Sequence, residues 1–177
     1  MPVISSRTLT SVVTLTILGC SQNSLGNPVT CTEKYTQYAQ AQITWQKESA
    51  ARAIQLLPDH TDRIQQYRDV QLTAIKRRKL AVHIALESYP DRAATWGSIN
   101  QWIELSPEFE TELALKSPDF KKLTEQHHEQ TSKPASEGDN EFSLTFRKTV
   151  LSDPEFMQLM DDFNQNSREL NSLPCEK

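Results

Sequence analysis

Apolar side chains recur at helical spacing through most of the chain. Leu72, Ile75, Val82 and Leu86 follow one another at three- and four-residue steps, with Lys79 interrupting the stripe. Trp96, Ile99 and Ile103 share one face, with Trp102 flanking it, and Phe156, Leu159, Met160 and Phe163 share another. Such periods bury one side of a helix. The pattern predicts helices over about 31–56, 60–88, 91–105, 107–116, 118–130, 142–152 and 154–172.

Prolines mark the predicted starts. Pro58-Asp59, Pro90-Asp91, Pro107-Glu108, Pro118-Asp119 and Pro154-Glu155 each place an acid directly after a proline. Proline suits the first helical position because the amide hydrogen it lacks has no partner there. A carboxylate beside it meets the positive end of the helix dipole. Ser106, Ser117 and Asp153 stand one position earlier, where an N-cap belongs. The expected fold class is all-α: a compact helical bundle of about five to seven helices with short, proline-initiated connections. The segment "TSKPASEGDNE" at 131–141 has no large apolar residue and reads as a mobile loop before a C-terminal hairpin.

Composition agrees. At 177 residues the chain suits one domain with a tail. Its four glycines, Gly19, Gly26, Gly97 and Gly138, are too few for the tight turns of a β-sandwich or barrel.

One apolar stretch has a different character. "TSVVTLTILGCSQNS", Thr10 to Ser24, follows a single basic residue, Arg7, and is too short to span a bilayer. A basic residue, a short apolar segment and small residues at a cut site describe a secretory signal. The ending "ILGC" resembles the lipobox of bacterial lipoprotein precursors. That resemblance implies a signal peptide at 1–19, a palmitate-bearing lipidated Cys20, and a membrane anchor on an exported protein. Residues 20–30 are then the lipidated cysteine and a flexible tether, and 31–177 the helical domain. Ser21 is compatible with the periplasmic face of the outer membrane in a Gram-negative host. The alternative is a buried N-terminal segment with Cys20 as a core thiol.

With Cys20 lipidated, Cys31 and Cys175 remain, in a compartment that favours a disulfide bond. Two free thiols are the alternative. No Cys-x-x-Cys or nearby histidine pattern suggests a metal. The formal charge of −4, more negative once Arg7 is removed, disfavours nucleic acid as a partner.

The dense basic run is Lys76, Arg77, Arg78 and Lys79. Successive helical residues turn about 100°, so these four cannot form one flat face. They read either as salt bridges to acids such as Glu104, Glu108 and Glu112, or as a contact for a partner or anion. His83 with Glu87 reads as a surface or half-buried pair, and Glu125 with His128 as a solvated helix end, the alternative being a metal site that would need a second Glu-x-x-His the chain lacks. Trp45, Trp96 and Trp102 read as core anchors, with a peptide or glycan groove as the alternative. No catalytic, cofactor or metal motif stands out, and no cofactor is expected. The expected function is therefore that of a lipid-anchored, non-catalytic interaction or assembly module with a protein partner in the cell envelope. The alternative is a periplasmic carrier holding a lipid or small ligand between helices.

Overall fold

A computed structural model describes residues 29–132 and 139–176. Among them are six α-helices: α1 Cys31–Leu56, α2 Thr61–Ser88, α3 Pro107–Lys116, α4 Pro118–Thr131, α5 Asp139–Thr149 and α6 Pro154–Ser172. The bundle is all-α. Cys20 and the rest of the leader and tether up to 28 lie outside the described residues, as do 133–138. Thr131 still belongs to α4 and Asp139 already opens α5, so the expected loop at 131–141 is narrower than its composition suggested.

The helix starts obey the expected grammar. Ser106, Ser117 and Asp153 each accept the backbone amide of the phenylalanine three residues on, at 3.3, 3.1 and 2.9 Å. α1 lacks a proline and opens with a capping box instead. Thr30 Oγ1 accepts from the Glu33 amide at 3.1 Å, and Glu33 Oε2 accepts from the Thr30 amide at 3.0 Å. The bonds from Thr30 also hold the Glu33 carboxyl below its usual range. α1 and α2 both stop one residue before a proline-led turn, at Pro58 and Pro90.

α1 and α2 form a long antiparallel hairpin, so that Thr36 near the start of α1 reaches His83 near the end of α2. α6 runs back along α1, and α4 lies along α2. Two cores result. The upper one joins Cys31, Tyr35, Val82, Trp102, Phe109 and Phe120. The lower one joins Ala53, Leu57, Ile64, Phe142, Val150 and Phe156.

The upper end is heavily fastened. Cys31 and Cys175 form a disulfide bond, with Cα atoms 4.9 Å apart across a sequence separation of 144. Beside it, the Cys31 amide donates to the Glu176 carbonyl at 2.8 Å. Lys34 is buried, and its Nζ donates to the carbonyls of Asn171 at 3.2 Å and Leu173 at 2.5 Å. Its ammonium thus meets carbonyl groups at the negative end of α6. Burial pushes the Lys34 pKa down.

One predicted helix is absent. The segment 91–105 holds only single 3-10 turns at Pro90–Arg92 and Ile99–Gln101 within irregular chain. A helix would keep Trp96 with Ile99 and Ile103 on the buried face. Instead Trp96 is 80 % exposed, while Trp102 is fully buried. The irregular backbone is tolerable because side chains satisfy it. Asn171 Oδ1 accepts from the Ile99 amide at 2.8 Å. Arg78 Nη2 donates to the Asn100 and Ile103 carbonyls at 2.9 and 2.7 Å. Trp102 Nε1 donates to the Gly97 carbonyl at 3.2 Å.

Candidate functional site

The basic run divides as the helical turn requires. Arg77 reaches Glu110 of α3 at 3.2 Å, a different acid from the three expected. Arg78 holds the irregular segment, so both arginines face the protein. Lys76 is exposed, and Lys79 is partly buried near His83. His83 pairs with Thr36 Oγ1 at 3.1 Å, and its pKa is pushed down by burial and then by the Lys79 charge. His127 is likewise lowered, first by burial and then by Arg77. Glu125 sits 3.9 Å from Lys121. Among the described residues, no group of three or more His, Cys, Asp or Glu side chains could hold a metal ion. No helix among them is long and apolar enough to cross a membrane.

The most distinctive surface lies at the lower end. An open cleft of about 510 Å³ runs between α1, α2 and α5. That volume falls within the range of about 300–1,000 Å³ usual for ligand pockets. Ser49, Ala50 and Ala53 of α1 form its floor with small side chains that are themselves buried. Aromatic rings form its walls. Trp45 meets Phe156 edge-on with centroids 5.5 Å apart, and Phe146 meets Phe156 at 6.2 Å and 89°. Tyr67 and Phe142 lie nearly parallel, 6.0 Å apart and 8° from coplanar. These rings contribute apolar area and hold one another in defined orientations.

Two arginines line the cleft, Arg68 from α2 and Arg147 from α5. Arg68 pairs with its chain neighbour Asp69 at 2.8 Å. Arg147 is exposed and has no ion-pair partner among the described residues. No carboxylate is among the cleft's described lining residues. The lining includes Tyr67, 51 % exposed, and Leu151, 44 % exposed, and Leu144 of α5 stands 68 % exposed close in sequence to Phe142 and Phe146.

The three tryptophans separate. Trp102 anchors the upper core, Trp96 is exposed, and Trp45 alone lines the cleft. Trp45 also stacks on Phe163 at 5.7 Å and 19°, where it borders a second groove of about 610 Å³ that carries Glu48 and Asp162. The groove-forming residues Tyr67, Phe142, Phe146 and Arg147 were not singled out by sequence pattern. The available signal was Phe142 with Phe146 at helical spacing beside Arg147.

No family model matches the chain, and no curated protein and no solved structure matches it either.

Proposed function

We propose that this chain is a lipid-anchored envelope protein that works as a non-catalytic interaction module, docking a partner protein in the cleft between α1, α2 and α5. The observation that carries the docking site is an aromatic-walled cleft open to solvent, with Tyr67 and Leu151 exposed in its lining. A concave site with apolar and aromatic walls and a few polar groups at its edge is the usual form of a binding site. The anchor reading rests on the lipobox resemblance at Cys20, and the alternative carrier reading calls for an enclosed cavity, whereas this cleft is open.

The two readings fit together spatially. The tether from Cys20 enters α1 at Cys31, and at 1.5 Å per residue Trp45 to Ala53 lie about 20–35 Å along the helix from that point. The anchored end and the cleft therefore stand well apart, and the cleft stays accessible to a partner when the lipid is in the membrane.

Two measurements test this. Intact-mass analysis of membrane-fraction protein is expected to find a chain that begins at a lipid-modified Cys20; an unmodified Met1 start overturns the anchor. A photoactivatable residue at Leu151, exposed in the cleft lining, is expected to crosslink to a discrete protein in cells, whereas the same residue at Leu115, exposed on α3 and outside that lining, is not. Equal labelling at both positions, or none at Leu151, overturns the docking site.

A further inference from the structure

Resting on the lipid-anchor reading, the end of the bundle that carries Cys31 has a role beyond holding the fold together. We infer that this end seats directly on the bilayer that holds the anchor, with Trp96 and Leu173 entering the headgroup zone.

Placement comes first. Trp96 is 80 % exposed and Leu173 is 43 % exposed. They belong to distant parts of the chain, yet both segments gather at the start of α1. Lys34 Nζ donates to the Asn171 and Leu173 carbonyls, and Asn171 Oδ1 holds the Ile99 amide. Trp102, with its ring 5.6 Å from that of Tyr35, donates to the Gly97 carbonyl beside Trp96. Two backbone bonds close the turn: the Gly97 amide to the Ala94 carbonyl at 3.0 Å, and the Ala94 amide to the Trp102 carbonyl at 2.9 Å. The exposed indole therefore stands on a fixed turn at the end where the tether arrives.

Reach comes second. Cys31 follows Cys20 by 31 − 20 = 11 residues. At no more than about 3.3–3.6 Å per residue, that stretch spans at most about 40 Å. The 26 residues of α1 measure about 39 Å at 1.5 Å per residue. Cys31 thus stays within about one bundle length of the bilayer, whatever path the tether takes. Such confinement raises the effective concentration of the surface, so a weak contact suffices.

Charge comes third. Charged residues make up 24 % of the chain, yet none occurs in 21–32, 93–103 or 170–175. The last two stretches carry Trp96 and Leu173, and the first leads into them. Giving up water at a bilayer is costly for charged groups and favourable for apolar ones. An indole, apolar with one polar N–H, suits the headgroup zone. The charged residues bordering these stretches are Glu33, Arg92, Glu104, Glu169 and Glu176, all exposed. With one base among them, the seat rests on apolar contact and not on attraction to anionic lipid.

The test uses the full chain as cells process it, purified from membranes and reconstituted in vesicles. These hold phosphatidylethanolamine and phosphatidylcholine, the latter with or without bromine on its acyl chains near the headgroup. Bromine quenches an indole that touches it. Bromolipid is expected to lower wild-type emission, and Trp96→Ser is expected to remove most of that loss. Moving the indole to the other end, Trp96→Ser with Tyr67→Trp, is expected not to restore it. Both positions are exposed, and unchanged thermal midpoints check folding. A photoactivatable residue at Leu173, with Trp96 left in place, is expected to form adducts with phospholipid.

Quenching that survives Trp96→Ser, equal quenching with the indole at either end, or none in the wild type overturns the inference. So does a loss that appears only when phosphatidylglycerol is added, or a Leu173 adduct with protein in place of lipid. Each of these leaves the anchor standing, because the vesicles still carry the chain. An unmodified Met1 start by intact mass overturns the anchor and this seat with it.

Discussion

Arg52 and Asp153 form a two-point ion pair across the lower end of the bundle. Arg52 Nε donates to Oδ1 at 2.8 Å and Nη2 to Oδ2 at 2.7 Å. The pair ties the last turns of α1 to the first residue before α6, where the same Asp153 accepts the Phe156 amide as N-cap. Arg52 Nη1 also reaches Glu155 at 2.7 Å.

These bonds, chiefly that from Arg52, lower the Asp153 pKa from 3.8 to about 2. A carboxyl with a depressed folded pKa contributes stability that is present above its unfolded value and lost as pH falls through the folded one. The wild-type chain is therefore expected to lose thermal stability between about pH 4 and pH 2. Asp153→Asn is expected to be less stable than wild type at neutral pH, with the difference closing by about pH 2. Thermal midpoints measured across that range check it, and parallel curves contradict it.

The disulfide closes a loop spanning a separation of 144, for which the chain-entropy account gives about 5 kcal/mol as an upper value. Cys175→Ser is expected to lower unfolding free energy in urea by up to that amount. Hydrogen exchange is expected to speed up first in the last turns of α6, where Lys34 and the Glu176 carbonyl then act without the covalent link. Uniform acceleration throughout the chain contradicts that order.

The basic run supplies a third comparison. Arg78→Met removes two charged hydrogen bonds from the irregular segment, an exposed one to Asn100 and a sheltered one to Ile103, and the sheltered bond alone contributes roughly 1.5–3 kcal/mol. Trp102→Ala, at a fully buried position, is expected to cost about 3–5 kcal/mol. Lys76→Met, on the exposed side of the same turn, is expected to stay within about 0.5 kcal/mol. Urea unfolding separates the three, and a Lys76 effect as large as that of Arg78 contradicts the division.

Helix positions were legible because their determinants are local. The Ser106, Ser117 and Asp153 caps, each followed by proline and an acid, identify three starts to the residue. The segment at 91–105 was misread because its determinants are distant. Its spacing is helical, but Arg78 and Asn171 stabilise another backbone, and neither is its neighbour in the chain. The Cys31–Cys175 pair was expected once the lipobox resemblance set Cys20 aside. The cleft could not: it needs Tyr67, Phe142 and Phe156 from three helices, and their adjacency arises only in the fold.

The fastening at Cys31 and Cys175 lies wholly within one end of the hairpin, and this sets how the molecule can breathe. The upper core is locked by a covalent bond, while the lower core relies on packing and the Arg52 pair. Cooperative units with fewer restraints open at lower free energy. Partial openings therefore concentrate at Phe142, Phe146 and Phe156, leaving the disulfide-bonded end folded. The cleft can change its aperture while the disulfide-bonded end keeps its packing.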